Sequence, residues 1–220
     1  MKGSLNEKVR KVATHRDYSE MDNSDDFIRK NGENGIAADF YRNGRKRSVY
    51  HVKNGMLNGP FEEYFPDETI FKRGFYVDNL KNGDFEEFYS NHMLRSRYHY
   101  FYDILDGDFE ECFPTGATFK KGSFWNGKLD GKYMEYYKNS RIALEIDYVD
   151  GKRDGEYKEF SILGFPTVIA HFREDKLHGR CERYRANGQL GWVEIYDDGR
   201  LISSSGAGLS WMVQRQNQRS

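Results

Sequence analysis

Seven glycines, Gly35, Gly59, Gly83, Gly107, Gly131, Gly155 and Gly179, follow one another every 24 residues without insertion or deletion. The strings around them repeat as well: LNGPFEEYF from Leu57, KNGDFEEFY from Lys81, LDGDFEECF from Leu105 and LDGKYMEYY from Leu129. A fixed period of this size marks a repeat architecture, in which each unit buries its apolar face only against its neighbours. The repeats span residues 31–202, with an N-terminal segment, 1–30, before them and a tail, 203–220, after them.

With each repeat numbered from its glycine as zero, Asn43-Gly44 and Asn187-Gly188 fall at offsets eight and nine. Asn54-Gly55, Asn126-Gly127, Asp150-Gly151 and Asp198-Gly199 fall at nineteen and twenty. These dipeptides tolerate the positive φ of two-residue hairpin turns, so each period holds two turns and two strands of about ten residues. A two-residue first turn sets residues whose offsets sum to seventeen opposite each other. Side-chain chemistry agrees, because Glu62 then faces Arg73, Glu86 faces Arg97, Glu110 faces Lys121, Glu63 faces Lys72 and Glu111 faces Lys120. At the second turn the aromatics Tyr100, Phe124, Phe172 and Tyr196 fall opposite Leu105, Leu129, Leu177 and Leu201.

Alternation of side chains puts Phe61, Phe85, Phe109, Tyr133 and Tyr157 on one face with the offset-six and offset-seventeen aromatics. The other face keeps one aromatic column, Phe40, Tyr64, Phe88, Tyr136, Phe160 and Tyr184, among charges. The expected fold is all-β: an elongated, twisted single-layer antiparallel sheet of seven 24-residue hairpin repeats. A β-helix is disfavoured by the column Asp39, Glu63, Glu87, Glu111, Glu135 and Glu159. Stacked one strand apart, neighbouring carboxylates repel by about 0.9 kcal/mol even in water, against about 0.4 kcal/mol two strands apart.

The glycine, the aromatic two residues on, the Glu-aromatic-aromatic run, the Asn-Gly turn and a return strand ending in aromatic-x-Asn/Asp-Gly-x-Leu resemble the variant MORN repeat of YwqK family antitoxins over residues 31–202. That resemblance implies an antiparallel hairpin array with a binding role, and supplies no catalytic residue or cofactor. Similar arrays occur in proteins of large DNA viruses of amoebae, and the wider MORN class is implicated in scaffolding and lipid contact. Asp67-Glu68, Asn91-His92 and Asn139-Ser140 depart from the pattern at the first turn.

Composition fits a sheet built on rings. The net charge is −1 and charged residues make up 31% of the chain, while mean hydropathy is −0.90. Leu, Ile, Val and Phe together number only 47 of 220 residues, near the roughly one-fifth level below which charged chains stay disordered. Sixteen Tyr and sixteen Phe supply the missing apolar area. No run approaches eighteen apolar residues, and MKGSLNEKVRK lacks an apolar signal core, so a soluble cytoplasmic protein is expected, with a virion as the alternative. Cys112 and Cys181 lie three repeats apart on opposite faces, too far to bridge.

Outside the array, Asp25-Asp26-Phe27-Ile28 resembles the return strand of a degenerate preceding repeat and suggests a cap. Pro166 is expected to bulge or break its strand, and SSSGAG after Leu201 reads as a linker ahead of an apolar island around Trp211. His51, His99 and His171 share offset sixteen, but about 19 and 29 Å separate them in this register, which excludes a common metal. His15, His92 and His178 have no ligand-spaced partner, and no catalytic or phosphate-binding motif is present.

The candidate partner-binding residues are therefore Glu63, Glu87, Glu111 and Glu135, along which a basic partner could run, with Phe85, Phe109 and Tyr133 beneath its apolar side chains and Trp211 as a docking anchor. The alternative for the glutamates is pairing with Lys72 and Lys120 or capping of backbone amides, and for the Trp211 island a last strand or a tail folded back over the far edge. Acids and bases alternate along the strands, which disfavours nucleic acid. The expected function is a non-enzymatic scaffold holding a protein partner in the manner of an antitoxin. The alternatives are an assembly protein, such as a virion component, and a phospholipid-contacting module.

Overall fold

A computed structural model describes residues 27–28 and 34–206 of the chain. Most of the N-terminal segment and the Trp211 island lie outside the described residues. The fold is all-β, one open antiparallel sheet of consecutive hairpins with no helix among the described residues. Contacts group the chain into two compact units, residues 1–104 and 105–220.

The first unit holds β1 (Phe27–Ile28), β2 (Gly35–Phe40), β3 (Lys46–Lys53), β4 (Met56–Tyr64), β5 (Ile70–Val77), β6 (Leu80–Lys81), β7 (Gly83–Phe88) and β8 (Leu94–Phe101). Next comes β9 (Ile104–Cys112), which begins at the boundary. The second unit continues with β10 (Thr118–Trp125), β11 (Lys128–Leu129), β12 (Gly131–Tyr136), β13 (Ile142–Val149), β14 (Lys152–Phe160), β15 (Pro166–Arg173), β16 (Lys176–Leu177), β17 (Gly179–Tyr184), β18 (Leu190–Asp197) and β19 (Arg200–Gly206). At the start, Phe27 and Ile28 pair with Ala38 and Ala37 of β2, a short return strand ahead of repeat one.

The expected cross-strand partners are found. Glu62 faces Arg73 and Glu63 faces Lys72; Glu86 faces Arg97; Glu110 and Glu111 face Lys121 and Lys120. The turn that produces this register is a different one. In repeat two, Phe65 N donates to Thr69 O and Glu68 N donates to Phe65 O. The loop thus has three residues, with Glu68 left-handed at φ 70°, the type I turn plus bulge of longer hairpins. A three-residue loop makes opposed offsets sum to sixteen, as in Tyr64 opposite Ile70. A bulge at offset twelve, skipping Phe71, then restores seventeen. The same shift recurs in all seven repeats.

Pro166 disturbs nothing, because it opens β15 opposite Phe160 and the bulge after it is the one every repeat carries. Glu68, His92 and Ser140 hold the left-handed position that glycine fills elsewhere. The second turn is the expected two-residue loop with both φ positive, even where Tyr102-Asp103 and Glu174-Asp175 replace Asn-Gly.

The marker glycine sits at a second bulge. Between Val52–Leu57 and Tyr50–Phe61 the outgoing strand contains two extra residues. All seven marker glycines adopt positive φ, and Gly59 is at 122° with His51 Cβ only 2.8 Å from where its own Cβ would stand. Two extra residues return the same side chains to the same face. At β19 the marker position is Ser203, the shift is one residue, and the faces exchange. Gly206 therefore lies opposite Trp192, with the indole 2.5 Å from where a Cβ would be. Ser203–Gly206, expected as linker, thus complete β19, because the backbone of β18 offers a ladder and glycine fits beneath the indole.

The aromatic face is the buried one. In the first unit Tyr50, Phe61, Tyr76, Phe85 and Tyr100 form a continuous chain of rings with centroids 5.3–5.6 Å apart, three of the four contacts edge-on. Room for it in repeat two comes from Gly74 at offset fifteen, where a Cβ would overlap the Phe85 ring at 2.5 Å. The second unit repeats the device, with Phe109 over Gly122 and 4.9 Å from Phe124. In repeat seven Cys181, fully buried with Ala170 and Phe172, takes the place of the ring. Both cysteines are free thiols, as the register requires.

Phe109→Ala should lower stability by about 3–5 kcal/mol in denaturant unfolding, because the ring is buried against three neighbours. Ser140→Gly should raise it by about 0.5–1 kcal/mol, or Tm by ~2 °C, by relieving the left-handed serine.

Candidate interaction surface

The carboxylate column is largely committed within the sheet. Arg95 Nη1 lies 2.6 Å from Glu87, and Lys72 Nζ lies 3.7 Å from it. Lys120 Nζ is 3.1 Å from Glu111, Glu63 stands opposite Lys72, and Glu135 accepts a 2.6 Å hydrogen bond from the Tyr133 hydroxyl. Asp39, at the head of the column, accepts from Ser48 Oγ and Arg47. A basic partner laid along this stripe would have to displace bonds already made, so pairing with the neighbouring lysines describes the glutamates better than a vacant binding stripe does.

The aromatic candidates are no more available. Phe85 is 7% exposed and Phe109 5%, and both are spent on the ring column. Tyr133 is half-buried, with its hydroxyl on Glu135. Trp211 lies outside the described residues.

On the opposite face, charge pairing runs between repeats. Glu86, among the most buried charges described, accepts from Arg97 of its own repeat at 2.8 Å and from Arg73 of the preceding one at 2.5 Å. Arg73 also covers the Phe88 ring. The second turns are stitched along the array too. Asn79 N donates to Leu57 O, and Asx side chains such as Asp106 and Asp130 accept from the Asn126 and Asp150 amides one repeat on.

This stitching gathers one cluster that spacing along the chain did not reveal. His178 Nδ1 comes within 3.6 and 3.7 Å of Asp197 and Asp198, where no ligand-spaced partner was expected. The Arg173 guanidinium already holds Asp198 at 2.6 Å, and this hydrogen bond keeps that carboxyl below the usual range. The signal was an offset pair, twenty-three against nineteen of the next repeat. Burial pushes the Cys181 thiol up, so it is poorly suited to nucleophilic work.

Large apolar side chains are left outward within strands, as at Ile36 (57% exposed) and Phe75 (42%), and beside turns, where the most exposed of them stand. In the first unit Phe101, Tyr102 and Ile104 are exposed beside the second turn of repeat three. In the second unit Trp125 is 69% exposed beside Asn126-Gly127, and Ile162, Leu163 and Phe165 are exposed on the first turn of repeat six. The sequence carried a signal for Tyr102 and Leu163, which stand at offsets nineteen and eight where most sister repeats place Asn or Asp; Phe101, Trp125, Ile104 and Phe165 stand at offsets without such a pattern.

No family model and no curated protein matches this sequence. No helix among the described residues is long and apolar enough to cross a membrane.

Buried phenols set an alkaline limit. Burial pushes Tyr76 up to about 12, and Tyr50 higher still. Because the folded values lie above the unfolded value near 10, the stabilisation is complete below about pH 10 and is lost as pH rises through the folded values. Thermal melts should hold steady to about pH 9 and fall between about pH 10 and 12, less steeply in Tyr76→Phe.

Proposed function

We propose that the protein is a non-enzymatic binding scaffold of MORN type, antitoxin-like in acting by holding a protein partner, and that it works in the cytoplasm. The observation that carries the binding role is that the most exposed large apolar side chains of the described residues stand at turns. Polar groups on the faces are largely paired within the sheet, whereas large apolar side chains stand exposed at the turns, Trp125 and Leu163 foremost. Exposed apolar and aromatic clusters of this kind on a soluble array mark sites of association. The 24-residue hairpin period with a positive-φ glycine supports the MORN reading.

A second reading, an assembly component joining neighbouring chains at the end of its sheet, is favoured by β19. From Leu201 to Gly206 that strand carries no charge and no proline, the usual guards against edge pairing.

Affinity purification of the tagged full chain from its native source, after mild cross-linking, should recover one protein in near-equal amount. Recovery within a large particle would favour the assembly reading. Recovery of no macromolecule, together with turnover in a substrate screen, would contradict both.

A further inference from the structure

We infer that the first turn of repeat six, Ser161 to Phe165, is an apolar plug that seats in a partner-protein pocket rimmed by carboxylates; this rests on the binding-scaffold reading above and specifies its site.

The turn departs from its neighbours in chemistry while keeping their geometry. At offsets seven to ten the adjoining repeats read Lys138-Asn139-Ser140-Arg141 and Ala186-Asn187-Gly188-Gln189, whereas repeat six reads Ile162-Leu163-Gly164-Phe165. Ile162 is 56% exposed, Leu163 64% and Phe165 49%. Three large apolar side chains on one tight turn form a compact projection rather than scattered surface residues.

The carbonyls of the turn are already paired within the array. Ser161 N donates to Phe165 O and Gly164 N to Ser161 O, each at 2.8 Å, while Ser161 Oγ accepts from Phe165 N at 3.2 Å. From the preceding repeat, Arg141 donates to Leu163 O at 2.6 Å and to Ile162 O at 3.3 Å, and Asn139 Nδ2 donates to Ile162 O at 3.2 Å. The turn can therefore leave water without orphaning these carbonyls, and little ordering remains to be done on binding.

Charge identifies the occupant. Across residues 113–117, 137–141, 161–165 and 185–189, the first-turn row of repeats four to seven, there is no Asp or Glu, while Lys138, Arg141 and Arg185 are present and exposed. An apolar tip among cations complements an apolar pocket with an acidic rim. Three cations fall short of the roughly four to eight that anionic lipid surfaces recruit, which favours a protein over a membrane.

The test places a photo-crosslinking residue at position 163 of the full chain in its native source. The adducted protein is identified, purified and titrated against wild type and variants. Leu163→Asp should weaken its binding at least about 30-fold, and Lys138→Glu with Arg185→Glu about tenfold, with wild-type affinity falling as salt is added. Lys53→Ala, on an exposed side chain of β3, should leave affinity unchanged, and circular dichroism should match wild type throughout; Leu163→Asn serves if the aspartate variant misfolds. Absence of a protein adduct, an affinity indifferent to position 163, or co-sedimentation with anionic phospholipid vesicles in place of a protein would each overturn the inference. If a partner recovered through the whole chain depends on Trp125 and not on Leu163, the plug fails while the scaffold reading stands.

Discussion

A single layer of sheet has no second layer to complete its core, so the rings on its buried face must draw their surroundings from the repeats before and after. The chain Tyr50, Phe61, Tyr76, Phe85 and Tyr100 meets this requirement by one stacked and three edge-on contacts passed from strand to strand. Each buried ring contributes about 1.5–3 kcal/mol, whereas ordering 24 residues costs tens of kcal/mol in chain entropy. No repeat can stand alone. The glycines at offset fifteen of repeats two and four follow from the same need, since Phe85 lies where a side chain on Gly74 would be and Phe109 packs over Gly122.

Holding the rings on one side requires the chain to keep its facing through every turn, and two irregularities per repeat accomplish this. A three-residue loop followed by a one-residue bulge gives the first register, and a two-residue loop followed by a two-residue bulge gives the second. The positive φ of the second bulge explains why glycine recurs at that point. Where Ser203 replaces it, the slip is one residue and the ring column has no successor. Polar groups follow the rings: glutamates pair with the lysine, arginine or tyrosine that register sets beside them.

The hairpins, their faces and the cross-strand charge pairs were legible in the sequence because a strict period turns alternation into a register. The first turn was misread in a way the charge test could not expose, because Asn43-Gly44 taken as a two-residue loop yields the same sum as a three-residue loop plus a bulge. Burial was harder to read. Phe85 and Phe109 looked like a landing surface, yet in an array with no other core the largest rings are the first to be enclosed. The meeting of His178 with Asp197 and Asp198 depends on the second turns of successive repeats lying side by side, which intervals along one chain do not display. The run Ile162-Leu163-Gly164-Phe165 departs in the sequence from the turns of its neighbours, but only the structure shows that its side chains are exposed.

The central claim is that 24 residues form one interchangeable structural unit, with the ring column continuous across any junction made in register. Deletion of Gly131 through Asp154 joins Asp130 to Gly155 and brings Tyr157 to the place of Tyr133. Calorimetry with far-ultraviolet circular dichroism should show that this shortened chain still melts cooperatively from a β-sheet state, whereas a deletion one residue shorter, which puts the following strands out of register, should not. Equal behaviour of the two deletions, whether both fold or both fail, would contradict the account.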